Sequence, residues 1–198
     1  VIGGGFIGLE MAENLAHRGL AVTVIEKADQ VMAPLDKDMA NIVHRHMAEK
    51  GISLVLENCV SKITHSPSGS KAVLEDGREV NADIVILSIG IRANSGLAKE
   101  AGLKLNARGG VIVDEYMRTS EPNIYAVGDI VETDDFVMGT RTMVPLAGPA
   151  NKQGRIVADT IAGEIKTTYK GTQGTSVAKV FDLTVASTGA NEKTLNRE

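Results

Sequence analysis

Apolar residues in this chain fall in short runs that alternate with stretches of helical spacing. Val1-Ile2 ends one run at three consecutive glycines, Gly3-Gly4-Gly5. Beyond them Ile7, Met11 and Leu15 recur on one helical face, with Ala12 offset, and Gly19 closes the element. Residues 21–25 are a second apolar run that stops at Glu26, and 27–36 read as a loop. Asp36 stands where a cap belongs, ahead of a predicted helix over 37–50 with Met39, Ile42, Val43 and Met47 on its apolar face. Gly51 ends that helix, and 52–56 read as a third, buried strand.

The pattern then changes. Alternation over 60–64, a Ser/Pro/Gly turn over 66–70, an extended run at 72–74 and a turn at Asp76-Gly77 predict an antiparallel meander. Residues 82–89 are a further apolar strand that reaches Gly90. A short helix over 94–102 and a strand over 111–114 follow. Residues 119–129 read as a short buried strand ending in Gly128-Asp129. Small residues over 144–151 precede a helix over about 152–162, and Gly163 stops it. The last stretch holds predicted strands at 177–181 and 183–186, a turn at Gly189 and a polar, helix-like end from Asn191.

Composition narrows the class. A hydrophobic fraction of 43% in 198 residues suffices for a buried core, in one large domain or two small ones. The net charge of −4, without a Lys/Arg block, argues against a nucleic-acid surface. No apolar stretch is long enough to span a membrane. The single cysteine, Cys59, reads as a small buried or half-buried residue rather than a redox thiol, and is compatible with a reducing compartment. With no signal peptide in view, these features point to the cytoplasm. His44 and His46, two apart on one helix, point in different directions and read as solvated. The chain starts inside a strand and ends without a stop signal, so a piece of a longer protein is expected.

The first ten residues carry the clearest chemistry. Gly3, Gly5 and Gly8 fit G-x-G-x-x-G between a strand and a helix. The first glycine permits the sharp turn, the second lets a pyrophosphate approach the backbone, and the third lets helix and sheet pack closely. Free N–H groups and the positive end of the helix dipole face the phosphates. Glu26 ends the next strand about 20 residues on, where a carboxylate accepts hydrogen bonds from ribose hydroxyls and repels a 2′-phosphate. Lys27 adjoins it and softens that preference. Gly90, just past a strand at the same sheet end, leaves room for a ligand. Asp129, where a strand stops, suits sugar or ribityl hydroxyls, although a turn or cap role explains it as well.

The order of these motifs resembles the flavin-dependent pyridine nucleotide–disulfide oxidoreductases. The branch it most resembles holds coenzyme A-disulfide reductases, persulfide or polysulfide reductases, and NADH oxidases and peroxidases. The matching segments are 3–10, 22–26, 86–94, 119–129, 145–155 and 171–195, nearly the whole chain. Pro145-Leu146-Ala147-Gly148-Pro149-Ala150-Asn151 and the segment 179–189 are the most specific, and they tilt the choice toward the coenzyme A-disulfide and persulfide reductases.

The resemblance implies an α/β chain with a Rossmann-like three-layer FAD/NAD(P)-binding fold, an antiparallel meander as crossover, and a partial α+β dimerisation domain. Residues 1–91 would be the NAD(P)-binding domain, 92–165 the C-terminal half of the FAD-binding domain, and 166–198 the start of the dimerisation domain. Gly3, Gly5, Phe6, Ile7, Gly8, Glu26, Lys27 and Gly90 would line the nicotinamide nucleotide, with NADH favoured and NADPH the alternative. Phe6 stands where the family usually has a tyrosine that covers the flavin; plain core packing is the other reading of it. Glu10 matches a glutamate near the flavin N5, and Ala93 replaces a common proline. Gly128 and Asp129 would hold the FAD ribityl chain or phosphates. Pro145, Leu146, Ala147 and Ala150 would meet the flavin pyrimidine edge, where a helix dipole stabilises negative charge.

The implied parent is a homodimeric enzyme that passes electrons from NADH through FAD to a cysteine-based disulfide, acting on a small-molecule disulfide, persulfide or polysulfide. One alternative is an NADH oxidase or peroxidase; another is a catalytically inert nucleotide-binding fragment, because the family's active-site cysteine has no counterpart here. The 198 residues alone are expected to purify without FAD and without disulfide reductase turnover. Val177, Val180, Phe181, Leu183, Val185 and Leu195 are expected to lack partners, favouring self-association or a mobile tail. Residues 1–91 are expected to stay folded.

Overall fold

The computed structural model describes residues 1–67, 69–164 and 167–196. Two compact units emerge. One comprises Val1–Gly90, Val177–Ser187 and the described residues from Asn191 onward; the other comprises Ile91–Ser176 and Thr188–Ala190.

The first unit opens with helix α1, Phe6–His17, strand β1, Thr23–Ile25, helix α2, Lys37–Glu49, and strand β2, Ser53–Val55. β1 and β2 pair in parallel, Val24 opposite Leu54. Ile2 bridges Ile25 on one side and Leu87 on the other, both in parallel. The parallel order is therefore β2, β1, Ile2, Leu87. Apolar side chains of both helices and of β1 meet over this sheet, with Leu9, Ala12, Val24, Val43 and Met47 nearly inaccessible. Each buried Val, Leu or Met contributes about 1.5–3 kcal/mol.

Both helix faces match the expected ones in part, with Ala12 and Leu15 on α1 and Val43 and Met47 on α2 turned to the core. Leu9 and Ala12 are buried on α1, while Ile7 is 55% exposed. Ala40, Val43 and Met47 are buried on α2, while Met39 and Ile42 are about half exposed. On α1 the cause is Gly8, whose contact with the strand end sets which face looks inward. Asp36 occupies the N-cap position of α2 but makes no side-chain cap bond.

The meander forms as expected. Strands β3, Val60–Ser66, β4, Gly69–Leu74, and β5, Glu79–Ala82, pair antiparallel in sequence order. Beyond it the apolar stretch 82–89, expected as a strand, is extended, held by Ile2 N–H to Ile86 O at 2.8 Å and Ser88 N–H to Ile2 O at 2.7 Å. It is not buried: Ile84, Leu87 and Ile89 are 63%, 61% and 74% exposed. Leu87 has Ile2 as its one bridge partner among the described residues, so the stretch lies at the sheet margin.

The second unit contains helix α3, Gly96–Glu100, strand β6, Val111–Ile112, a 3-10 turn at Gly128–Ile130, strands β7, Val131–Asp134, and β8, Arg141–Thr142, and helix α4, Ala147–Ile161. β7 pairs in parallel with β6 and antiparallel with β8. Val111, Val113, Met117, Val131, Ile156 and Tyr169 form its core. The expected strand before Gly128 is reduced to a bridge between Arg118 and Tyr125, with Ile124 and Val127 partly exposed. α4 begins five residues before the expected start, because Pro149 falls in the first turn, where a missing N–H costs nothing.

The chain then returns to the first unit. Strands β9, Ser176–Val180, and β10, Leu183–Ser187, form a two-stranded sheet. Ala178, Val180 and Phe181 are buried in the first unit's core, and Leu183 and Val185 pack against it. The expectation that these residues lack partners therefore fails for all but Val177 and Leu195, which are 68% and 59% exposed. Alternation along β9 explains the difference, since Val177 points out where Ala178 and Val180 point in. The short helix α5, Glu192–Leu195, is capped by Asn191, whose Oδ1 accepts from Thr194 N–H at 2.7 Å. Asn191 Nδ2 and Lys193 Nζ donate to the carbonyls of Pro34 and Ala33, and the Asp36 carboxylate accepts from Glu192 N–H at 3.0 Å. That contact takes the carboxylate expected to cap α2.

The solvated reading of both histidines also fails, through the hairpin for His46 and through Val31 for His44. His46, with a side chain 17% exposed, sits 2.8 Å from Asp182 Oδ1 and presents an edge to the Phe181 ring. His44 is half-buried, and its Nε2 accepts from Val31 N–H at 3.1 Å. No helix among the described residues is long and apolar enough to cross a membrane.

Candidate functional site

In the first unit the site is the turn between the first strand and α1. Gly3 has φ of +108°, and a Cβ there would lie 2.1 Å from Ser88 O. No other residue fits that turn. A Cβ on Gly8 would lie 2.0 Å from Gly3 O, so the start of α1 rests directly on the strand end. Gly5 is exposed, and a Cβ there would meet nothing within 4 Å. The loop is closed on its sheet side and open on its outer side, where α1 presents N–H groups that no side chain caps. This is the shape a pyrophosphate requires.

Glu26 is half-buried and tied to that loop. Its Oε2 accepts from Gly4 N–H at 2.6 Å and its Oε1 from Ala28 N–H at 2.8 Å. Each carboxylate oxygen has a further lone pair, which leaves capacity for ribose hydroxyls. Gly4 is the residue that the motif overlooks. A Cβ there would come within 2.8 Å of Val31 Cγ1, and its amide is the one that Glu26 holds. The signal was present in the triple glycine, where only two of the three serve the motif. Lys27 and Glu10 are exposed. Phe6 is half-buried against the first unit's core, and Ile7 is mostly exposed beside it. Gly90 is exposed, with φ of +104° and open space around it.

The second unit holds the other predicted residues. Gly128 opens the 3-10 turn, and Asp129 within it is exposed. Leu146 is the N-cap of α4 in an extended conformation and offers no side-chain cap. Pro145 and Ala147 are exposed and Ala150 is half-buried. α4 therefore presents uncapped N–H groups that suit an electron-rich edge of a ligand. Gln153, not singled out from the sequence, is 2% exposed and accepts from Gly128 N–H at 2.7 Å.

Cys59 is free and half-buried, as expected, and its Sγ lies 3.9 Å from Val60 O. Among the described residues no cluster of His, Cys, Asp and Glu could hold a metal ion.

Comparison with known proteins identifies the lineage. Residues 1–154 match the pyridine nucleotide-disulphide oxidoreductase family. An NADH oxidase from Methanocaldococcus jannaschii is 42% identical over 190 residues, covering 96% of this chain and 42% of that protein. The solved structure of reduced Bacillus anthracis CoADR-RHD superposes with a TM-score of 0.94 at 54% identity, covering 99% of this chain and 35% of that one. An NAD-dependent persulfide reductase from A. fulgidus gives a TM-score of 0.94 at 45% identity, covering 99% and 36%. The chain spans less than half the length of the curated relatives it matches. The lineage implies FAD and NAD(P)H as cofactors, and the open glycine loop and the uncapped α4 fit a dinucleotide and an electron-rich ring respectively. On its matched residues and these relatives, the chain belongs to the pyridine nucleotide-disulphide oxidoreductase family.

Proposed function

We propose that the intact protein is an FAD-dependent reductase that takes electrons from NADH and delivers them to a small-molecule disulfide, persulfide or polysulfide. The observation that carries the nucleotide half is the Glu26 carboxylate, held by Gly4 and Ala28 beside the open face of Gly5. The sulfur half is supported by similarity to the B. anthracis and A. fulgidus reductases. In this reading residues 1–91 bind the nicotinamide nucleotide, 92–165 contribute to the flavin site, and 166–198 lead into a dimerisation domain of a cytoplasmic homodimer.

The proposed roles fall to residues of both units. The α1 N-terminus binds the pyrophosphate across Gly5. Glu26 accepts from the adenosine ribose hydroxyls and disfavours a 2′-phosphate, while exposed Lys27 tempers that preference. Phe6 is half-buried against the core, which supports the core-packing reading alongside a part in covering a flavin. Glu10, one turn into α1 and exposed, is proposed on the family resemblance alone to approach the flavin N5. Gly90 leaves space for the nicotinamide. Asp129 accepts from ribityl hydroxyls, and the first N–H groups of α4, beside Leu146, Ala147 and Ala150, stabilise negative charge at the pyrimidine edge. When bound, the flavin supplies the electron relay between nicotinamide and sulfur.

The test is anaerobic NADH oxidation by the intact protein with coenzyme A disulfide and with polysulfide, against aerobic oxidation without them. Turnover that requires a sulfur acceptor supports the proposal. Turnover with dioxygen alone supports the second reading, an NADH oxidase, which the 42% identity to the M. jannaschii protein favours.

A further inference from the structure

Glutamine is rarely buried, because both of its amide ends need partners once water is removed. Gln153 is nonetheless 2% exposed, in the middle of α4. Its Oε1 accepts from the N–H of Gly128, 25 residues earlier, at 2.7 Å. Gly128 has φ of +85° and begins the 3-10 turn that carries Asp129. A Cβ on Gly128 would lie 3.9 Å from the Ala150 Cβ, so turn and helix are in van der Waals reach there. Ala150, Gln153 and Ile156 follow at intervals of three along α4, and Ile156 is anchored in the second unit's core. One side chain thus joins the turn bearing Asp129 to the helix bearing Ala147 and Ala150.

We infer that Gln153 is a positioning residue, which sets the spacing between the Asp129 turn and the N-terminal end of α4 and thereby the two ends of the flavin site. The inference rests on the reading that these elements hold FAD. Apolar packing alone does not account for Gln153. A leucine of similar volume would fill the space without leaving an amide group to satisfy, but it could not accept from Gly128 N–H. Nor does the turn supply that acceptor itself, since Gly128 is its first residue and its N–H lies outside the turn's own bonds.

The test compares Gln153→Met, which keeps the length and removes the acceptor, with Gln153→Glu, which keeps an oxygen in place. In the flavin-loaded intact protein, FAD release on dilution is read by the recovery of flavin fluorescence, and exchange of the Gly128 amide is read separately. Gln153→Met is expected to weaken FAD retention about tenfold and to speed Gly128 exchange. Gln153→Glu is expected to keep both within about threefold of the unaltered protein. If the methionine variant does not fold, Gln153→Asn, whose reach is one methylene shorter, takes its place. Equal FAD loss in the methionine and glutamate variants, tracking their loss of thermal stability, would overturn the inference. So would fast Gly128 exchange with unchanged FAD retention. If the unaltered protein binds no FAD, the proposed function fails on its own, and an unchanged Gly128 amide in Gln153→Met overturns the clamp independently.

Discussion

The Phe181 amide donates a 2.7 Å hydrogen bond to the Glu13 carboxylate, joining the turn of the last hairpin to α1 across 168 residues of sequence. Phe181 has φ of 54°, a left-handed conformation rarely held by a bulky residue. Its ring meets His17 edge-on at 5.3 Å between centroids. Glu13→Ala should lower the unfolding free energy by about 1.5–3 kcal/mol, the range for a hydrogen bond to a charged group. Glu13→Gln should cost less. Urea denaturation of the two variants measures this. An unchanged Glu13→Ala would mean that apolar burial alone docks the hairpin.

The glycines of the loop should separate folding from binding. Gly8→Ala places a methyl group 2.0 Å from Gly3 O, so it should destabilise by about 1–3 kcal/mol or more. Gly5→Ala meets open space. It should leave the melting temperature nearly unchanged and weaken NADH binding, because the methyl group occupies the path of the pyrophosphate. Melting curves and calorimetric titration of NADH on the intact protein distinguish the two. A Gly5→Ala protein that binds NADH normally would remove that face of the loop from the site.

Glu26 should set nucleotide choice and loop shape together. Glu26→Ala releases the Gly4 and Ala28 amides and deletes an acceptor for ribose, so NADH affinity should fall by about 1–3 kcal/mol. Calorimetry with NADH and NADPH at low salt checks the preference. Tighter NADPH binding by the unaltered protein would contradict it.

His44 should make the first unit sensitive to mild acid. Burial, then Lys37, depresses its pKa below the ordinary 6.5, while Asp29 acts in the opposite direction. The neutral ring accepts from Val31 N–H, and the protonated ring cannot. The unfolded chain binds the proton more readily, so this contribution is complete above pH 6.5 and is lost as pH falls through the depressed value. Asp29, held below its ordinary 3.8 by Lys37, is lost only at more acidic pH and does not overlap. Urea midpoints between pH 7.5 and 5 should therefore fall in the unaltered protein and fall less in His44→Gln. Equal slopes would show that His44 is not the group responsible.

Local signals carried much of the fold. The strand, glycine turn, helix, strand and acid of the first unit lie in consecutive residues, and so do the meander and its turns. What sequence reading missed depends on distant contacts. β7 holds one apolar residue, Val131, and its burial comes from pairing with β6 and from Thr133 inside. The burial of His46 depends on a hairpin more than a hundred residues downstream. Gln153 looked like any polar residue on a helix, because its partner is a backbone amide that leaves no trace in composition. The glycine motif was legible because each of its residues answers to its immediate neighbours.

The discontinuity of the first unit has a bearing on how the protein is made. Its core takes Ala178, Val180 and Phe181 from beyond residues 91–176, the larger part of the second unit. A ribosome adding about 5–20 residues per second takes roughly ten to thirty seconds to pass from Glu13 to Phe181. Throughout that interval the apolar surface on α1 and α2 that later receives the hairpin stands open. The nascent chain is therefore most vulnerable to misassociation before Phe181 has been made, and a chaperone acting on it in that interval would find apolar surface on α1 and α2.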